Sequence, residues 1–328
     1  MGALKKISVI IPAYNVEAYI ATCLASLERQ THENLEVILI NDGSADKTEE
    51  IIKAYMGKSR LEIRYFSQTN HGQAYTRNFG TKQASGEYIA YIDSDDYLDA
   101  DYLARLYETA ETYESDVVNS GYRVVKEDGT VLTEVNISPF LEVSDFGRAG
   151  VFVVWSKLFR TSFIREKQLS FPEGKLYEDV PFSIAAKFQG KNVKSISYIG
   201  YNYVQHESST MSSAVKSSRF PYKELEAVLS ETVSSEEVRK KELEFEVLHF
   251  FTGFLFLYCK KARREDVISF CGYASGMLAK YFPDYKKNPY VGFFRSKELP
   301  FTYRAAIKAF VILNRMHLLK AFTLAVTK

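Results

Sequence analysis

The sequence predicts an α/β fold, a mainly parallel mixed sheet flanked by helices, followed by a helical C-terminal region. Two patterns carry this. As far as residue 125, short apolar runs alternate with helical periodicities, the order that crossover connections require. Beyond about residue 220 strand signals nearly vanish and long helical patterns run to the end. A first domain is therefore expected over residues 1–220 and a second over 221–328.

The elements follow in order. "ISVII" (residues 7 to 11) reads as a buried strand bounded by Pro12, and a helix pattern runs from about Glu17 to Arg29. "LEVILI" is a second strand ending at Ile40, and "NDGSADKTEEIIKAYM" gives a turn, a capping Ser44 or Asp46, and a helix. "LEIRYF" is the third strand, residues 74 to 84 the third helix and "EYIAYI" the fourth strand. A helix from about Ala100 to Glu114, capped by Asp99 or Asp96, precedes the strand-like "DVVNSGYRVV". The pattern then turns mixed. "VVKEDGTVLTEV" is a hairpin with an Asp-Gly turn, "VVWSKLFRTSFI" reads as helical, "YEDVPFSIAAKFQG" opens a helix, and "KNVKSISYIGYNYVQH" is one or two strands.

Composition narrows the class. The chain has 328 residues, 46% hydrophobic and 25% charged, which is globular rather than disordered. A formal net charge of +1 gives no overall field to recruit nucleic acid. Cys23, Cys259 and Cys271 have no metal-ligand or disulfide spacing, which suits a reducing cytoplasm. "MGALKKISVIIPAYN" runs straight into a strand, unlike a signal peptide, and "VLHFFTGFLFLYC" is too short for a membrane span.

Active groups of open α/β sheets gather beyond the carboxyl ends of the strands. Here those ends carry "PAYN", "NDGS", "SQTNHG" and "DSDD". No G-x-G-x-x-G follows the first strand and no G-x-x-x-x-G-K-[ST] phosphate loop occurs, which excludes the usual dinucleotide and P-loop sites. The run Asp93, Asp95, Asp96 repels itself unless hydrogen bonds or a cation offset the charge. Paired carboxylates at a strand end suit a hard divalent cation, and equally suit helix capping. Asp42 fits a base or ribose contact, or an ordinary Asp-Gly turn. Arg77 fits phosphate recognition or a structural ion pair. Glu178 and Asp179, at a helix entrance, fit the helix dipole or a general base.

Three blocks in order resemble the family 2 glycosyltransferases, inverting enzymes of the Rossmann-like GT-A fold. They are "SVIIPAYNVEAYIATCLASLERQTHENLEVILINDGSADKT", "NHGQAYTRNFGTKQASGEYIAYIDSDDYL" and "LYEDVPF". The resemblance implies that Pro12, Ala13, Tyr14 and Asn15 face the nucleotide and that Asp42 holds uracil or ribose. It places Asn70, Gly72, Arg77 and Ser94 along the donor pocket. Asp93 and Asp95, with His206 from "YVQHESSTMS", become ligands of Mn²⁺ or Mg²⁺ and neighbours of the diphosphate. Asp179 becomes the general base with Glu178 in support, and Trp155 and Lys157 line the acceptor side. The implied reaction is hexose transfer from a UDP-sugar to a glycan or lipid-linked saccharide in bacterial surface polysaccharide synthesis.

Competing readings are a non-catalytic carbohydrate-binding protein of the same fold and a nucleotidyltransferase, which lacks its glycine- and arginine-rich loop here. The tail "YRAAIKAFVILNRMHLLKAFTLAVTK" sets Arg304, Lys308, Arg315, Lys320 and Lys328 among apolar residues. Three roles fit it: a docking helix, a peripheral contact on the cytoplasmic face of a membrane, or an oligomer interface.

Overall fold

A computed structural model describes residues 4–136, 152–206, 220–234, 240–258, 262–292 and 301–326. Cys259, Lys328, the whole polar stretch 207–219 and part of the basic run 260–264 lie outside them. Described residues up to His206 form one compact unit, and those from Phe220 onward form another.

The first unit starts from β1 (Ile7–Ala13), β2 (Leu35–Asp42), β3 (Glu62–Gln68) and β4 (Tyr88–Tyr91), all parallel in the order β3-β2-β1-β4. Helices α1 (Ile20–Glu28), α2 (Thr48–Met56) and α3 (Gln73–Gln83) make the crossovers. Because strand side chains alternate, Ile7, Val9 and Ile11 enter one core with Val37, Leu39 and Ala90. Ile10 enters the other core with Ile38, Ile40, Ile89 and Tyr91. Burial on both faces explains why β1 and β2 read as unbroken apolar runs rather than alternating ones.

β1 runs two residues beyond "ISVII". Pro12 and Ala13 pair with Ile40 and Asn41, so only Tyr14 and Asn15 of the expected first loop lie outside the strand. Proline removes an N–H there while the strand still ends in register. After β4 comes the two-residue β5 (Tyr97–Leu98), then α4 (Tyr102–Thr112), β6 (Val117–Lys126) and β7 (Val131–Val135). β6 and β7 form the expected antiparallel hairpin, with Gly129 at a φ of 83° in its turn.

The helix expected over residues 153–164 is instead β8 (Lys157–Arg160) and a short α5 (Thr161–Glu166). β8 lies antiparallel to both β4 and β6 and bridges the two halves of the sheet. A short apolar run fits either period, and the vacancy between two strands decides it. Then α6 (Asp179–Gln189) leads to β9 (Val193–Gln205), which pairs parallel with β6 and antiparallel with β5. The full path is β3-β2-β1-β4-β8-β6-β9-β5, so the sheet is parallel in its first half and mixed in its second.

The capping expectation for α4 also needs correction. The Asp99 side chain bonds Arg123 and Asn202 instead, and Asp96 bonds Tyr201 and the Val204 amide.

The second unit is helical among its described residues: α7 (Tyr222–Ser234), α8 (Lys240–Gly253), a π turn at Phe254–Tyr258, α9 (Arg264–Tyr281), α10 (Phe301–Arg315) and α11 (Leu319–Val326). Aromatic packing fills its centre, with the Phe254 and Phe270 rings 4.2 Å apart and Phe220 and Phe251 against Phe270. Among the described residues no helix is long and apolar enough to cross a membrane.

One contact fixes how closely α3 rides on the sheet. A Cβ placed on Gly80 would stand 2.5 Å from Ile10 Cγ2 and 3.2 Å from Ile40 Cδ1. Glycine-to-alanine inside a helix ordinarily gains about 1 kcal/mol. Forcing a methyl into this core costs about 1–3 kcal/mol, so Gly80→Ala is expected to lower unfolding stability. Urea denaturation measures this, and an increase in stability would contradict the close approach.

Candidate active site

The carboxyl ends of β1, β2 and β4 converge with the N-terminus of α6. Just after β4 the chain makes a tight turn in which the Asp96 amide donates to the Asp93 carbonyl at 3.1 Å. This turn gathers the carboxylates of Asp93, Asp95 and Asp96, whose oxygens lie within 4.8 Å of one another. Ser94, between them, is buried.

The three acids differ. Asp96 is 1% exposed, accepting from the Tyr201 hydroxyl at 2.6 Å and the Val204 amide at 2.8 Å. Burial, then the charges of Asp95 and Asp93, raises its pKa well above the usual carboxylate value. Its oxygens therefore hold the turn. Asp95 faces outward more, and its Oδ2 sits 2.8 Å from His206 Nε2. Burial and the Asp93 charge raise its pKa, opposed by His206. Asp93 accepts from Gln73 Nε2 at 3.1 Å and from Arg77 at 2.7 Å.

Arg77 is the centre of the arrangement. It is 1% exposed, on α3, and lies over the Phe171 ring at 5.4 Å. One terminal nitrogen donates to Asp93 Oδ1 at 2.7 Å; the other donates to Asp179 Oδ1 at 2.7 Å and Glu178 Oε1 at 3.1 Å. A single guanidinium thus ties the acids after β4 to the acids opening α6. Burial pushes Asp179 up to about 7, against the pull of Arg77, with Glu178 and Asp93 adding to the rise and Lys157 opposing it. Tyr177, immediately before this pair, sits at a φ of 61°, a conformation a bulky residue adopts only when held there.

Asp42, at the end of β2, is 3% exposed and accepts from Gln68 Nε2 (2.7 Å), the His71 amide (2.9 Å) and the Gly72 amide (2.8 Å). It pins the loop carrying Asn70 and Gly72, and Gly72 takes a φ of 87° to allow it. Gly43 lets that loop pass close by, since a Cβ there would meet the Asn70 amide at 2.8 Å. Asn15, at a φ of 52°, accepts from the Ala45 amide and donates its own amide to Ser44. Tyr14 beside it is 50% exposed. Trp155 is packed in the sheet core, stacked on Tyr201 and Tyr203, and Lys157 is buried on β8.

Sequence reasoning missed Tyr201, Gln73, Phe171 and Tyr19. The Tyr201 hydroxyl serves two of the acidic residues, since the Asp93 amide also donates to it at 3.2 Å. Tyr19 stacks on the His206 ring. A tyrosine-rich sequence gives no local mark for the tyrosine roles, because Tyr201 and Tyr19 meet their hydrogen-bond partners 105 to 108 residues away.

The comparisons with known proteins agree with this geometry. The model of Glycosyl transferase family 2 matches residues 8–171, half of the chain. The putative glycosyltransferase EpsH of Bacillus subtilis is 36% identical over 259 residues, 74% of this chain and 74% of its own length. The chain belongs to glycosyl transferase family 2. The poly(ribitol-phosphate) beta-N-acetylglucosaminyltransferase TarS of Staphylococcus aureus is 29% identical over 276 residues, 80% of this chain but 47% of its own length. This chain therefore spans about half of that relative. The crystal structure of S. aureus TarS 1–349 in complex with UDP-GlcNAc superposes with a TM-score of 0.73 at 23% identity, over 98% of this chain and 92% of that one. This likeness speaks for a GT-A fold.

Proposed function

We propose that the protein is an inverting, metal-dependent transferase that moves a hexose from a UDP-sugar to a glycan or lipid-linked saccharide in bacterial surface polysaccharide synthesis. The observation that carries this is Arg77, which binds acids from two separate loops in one buried cluster. The related TarS, solved with UDP-GlcNAc, supports UDP as the carrier. In this reading residues 1–220 do the chemistry, and 221–328 meet the acceptor, a membrane or a second copy.

The residues fit a divalent cation. Oxygen donors crowd within 4.8 Å, and two of the three acids remain partly exposed while Asp96 is used up internally. Asp95 and Asp93 would hold Mn²⁺ or Mg²⁺, with His206 adjoining. When bound, the ion supplies Lewis-acid stabilisation of the departing diphosphate's charge. Pro12, Ala13, Tyr14, Asn15, Asp42, Asn70, Gly72 and Ser94 form the nucleotide side, and Arg77 holds the acids beneath it.

On the opposite side, Asp179 takes the proton of the acceptor hydroxyl as that oxygen attacks the anomeric carbon. One displacement inverts the configuration and needs no enzyme nucleophile. A base near pKa 7 is well matched to this, because it is half ionised at working pH yet still basic.

Protonation of Asp179 removes the proton acceptor, so kcat/KM for transfer should rise with pH through about 7 and then level. Asp179→Asn should keep donor affinity, lose this acid limb and slow transfer by roughly 10²-fold or more. Glu178→Gln is the control. Wild-type transfer by Asp179→Asn together with a dead Glu178→Gln of unchanged donor affinity would move the base to Glu178.

We also propose a peripheral contact with the cytoplasmic face of a membrane. It is supported by exposed Phe301, Ile312, Met316, Leu318 and Phe322 on or beside α10 and α11, and by residues 301–328 containing Lys and Arg but no acid. Co-sedimentation with phosphatidylglycerol vesicles should exceed that with phosphatidylcholine, and Arg315→Glu with Lys320→Glu should reduce it. Equal binding to both lipids would contradict the proposal.

A further inference from the structure

His206 follows β9 and meets Asp95, yet another of its neighbours is unrelated to the acidic turn. The Tyr19 ring stacks on the imidazole at 4.8 Å and 27°. Tyr19 lies at the start of α1, where its backbone is fixed by its amide bonding the Val16 carbonyl and its carbonyl accepting from Cys23. Its hydroxyl donates to Glu127 Oε1 at 2.5 Å. Glu127 stands in the turn joining β6 and β7, a turn closed by Lys126–Thr130 and Gly129–Lys126 backbone bonds and by Asp128 accepting from the Thr130 amide.

Three segments distant in sequence are thus joined in one line: the hairpin turn, the α1 start and the end of β9. We propose that Tyr19 and Glu127 are positioning residues that set the His206 imidazole against Asp95. Stacking alone leaves a ring free to slide and rotate in its plane. The hydroxyl anchored on Glu127 removes that freedom from Tyr19, and so from the imidazole beneath it. This bond gives the exposed Glu127 a purpose beyond solubility.

The geometry is independent of the proposed metal-dependent transfer, but its consequence for donor chemistry rests on that reading. The test therefore has two arms on the full chain. In the first, histidine ring signals of the metal-free protein are followed by NMR, with His206 identified among the five histidines by His206→Ala. Tyr19→Phe and Glu127→Ala should each shift the His206 signals and leave the other four in place. Glu127→Gln, which keeps an acceptor oxygen, should restore them.

In the second arm, the Mn²⁺ concentration that half-saturates transfer should rise on the order of 3- to 10-fold in Tyr19→Phe, the scale of one lost hydrogen bond. kcat at saturating Mn²⁺ should stay within about twofold, and the Tyr19→Phe Glu127→Ala pair should be no worse than either single change. Adding Tyr19→Phe to His206→Ala should then change nothing further. Unmoved His206 signals in both variants would overturn the proposal, as would an undiminished Tyr19→Phe effect in the His206→Ala chain. A wild type that transfers no sugar, with the His206 signals still shifting, would support the positioning and sink the transferase reading instead.

Discussion

The structure depends on a buried cation. Removing a guanidinium from water costs several kcal/mol unless its donors are filled, and Arg77 fills both terminal nitrogens with carboxylates from Asp93, Glu178 and Asp179. The exchange is mutual. Three acids brought this close would repel one another, and the shared positive charge lets them occupy one site. The cluster still carries more negative than positive charge, and Asp95 adds to it. That excess is what gives the proposed divalent ion its place.

The sheet delivers these groups. β4 presents Asp93 and Asp95 at its carboxyl end, while β8, wedged between β4 and β6, sets the distance to the second half. Phe171 closes the far side of Arg77, stacked on Phe182 of α6 at 4.1 Å. The base-side acids thus stand on the same aromatic floor as the cation that holds them. Residues with positive φ recur at these joints: Asn15 after β1, Ser156 before β8 and Tyr177 before α6. Each adopts a conformation that costs energy and that only a surrounding network maintains. Glu114, Gln168 and His317 take the same conformation elsewhere, so only part of this strain sits at the junctions where strands hand side chains to the site.

Much of this was legible in the sequence, for physical reasons. β1 to β4 were readable because burial on both faces leaves a run of apolar residues with no other explanation, and the strand-end loops followed from the topology. Asp93 and Asp95 announced themselves because acids beside an apolar run demand compensation, and Glu178 and Asp179 stood out as an acidic pair at a helix entrance. What the sequence hid was the compensation itself. Arg77 finds partners 16, 101 and 102 residues away, and no local pattern distinguishes such a residue from a phosphate binder. Asp96 read as a candidate helix cap, whereas Tyr201 and Val204 occupy it. Residues 153–164 read as a helix, while Lys157–Arg160 fill a gap between two strands and only the end of the run, in α5, is helical. The Tyr19, Glu127 and His206 line was invisible for the same reason: its members meet only once the sheet has formed.

The central claim is that Arg77 acts through its charge on these three acids. The direct measurement is the cost in unfolding free energy of Arg77→Met, taken once in the wild-type chain and once in a chain carrying Asp93→Asn, Glu178→Gln and Asp179→Asn. Breaking a buried ion pair from one side costs about 3–5 kcal/mol, so a large loss is expected in the first background at pH 7.5. In the second background the acids no longer need a counter-charge, and most of that cost should vanish. An equal cost in both chains would mean that Arg77 serves by packing on Phe171 alone, and the ionic account of the site would be contradicted.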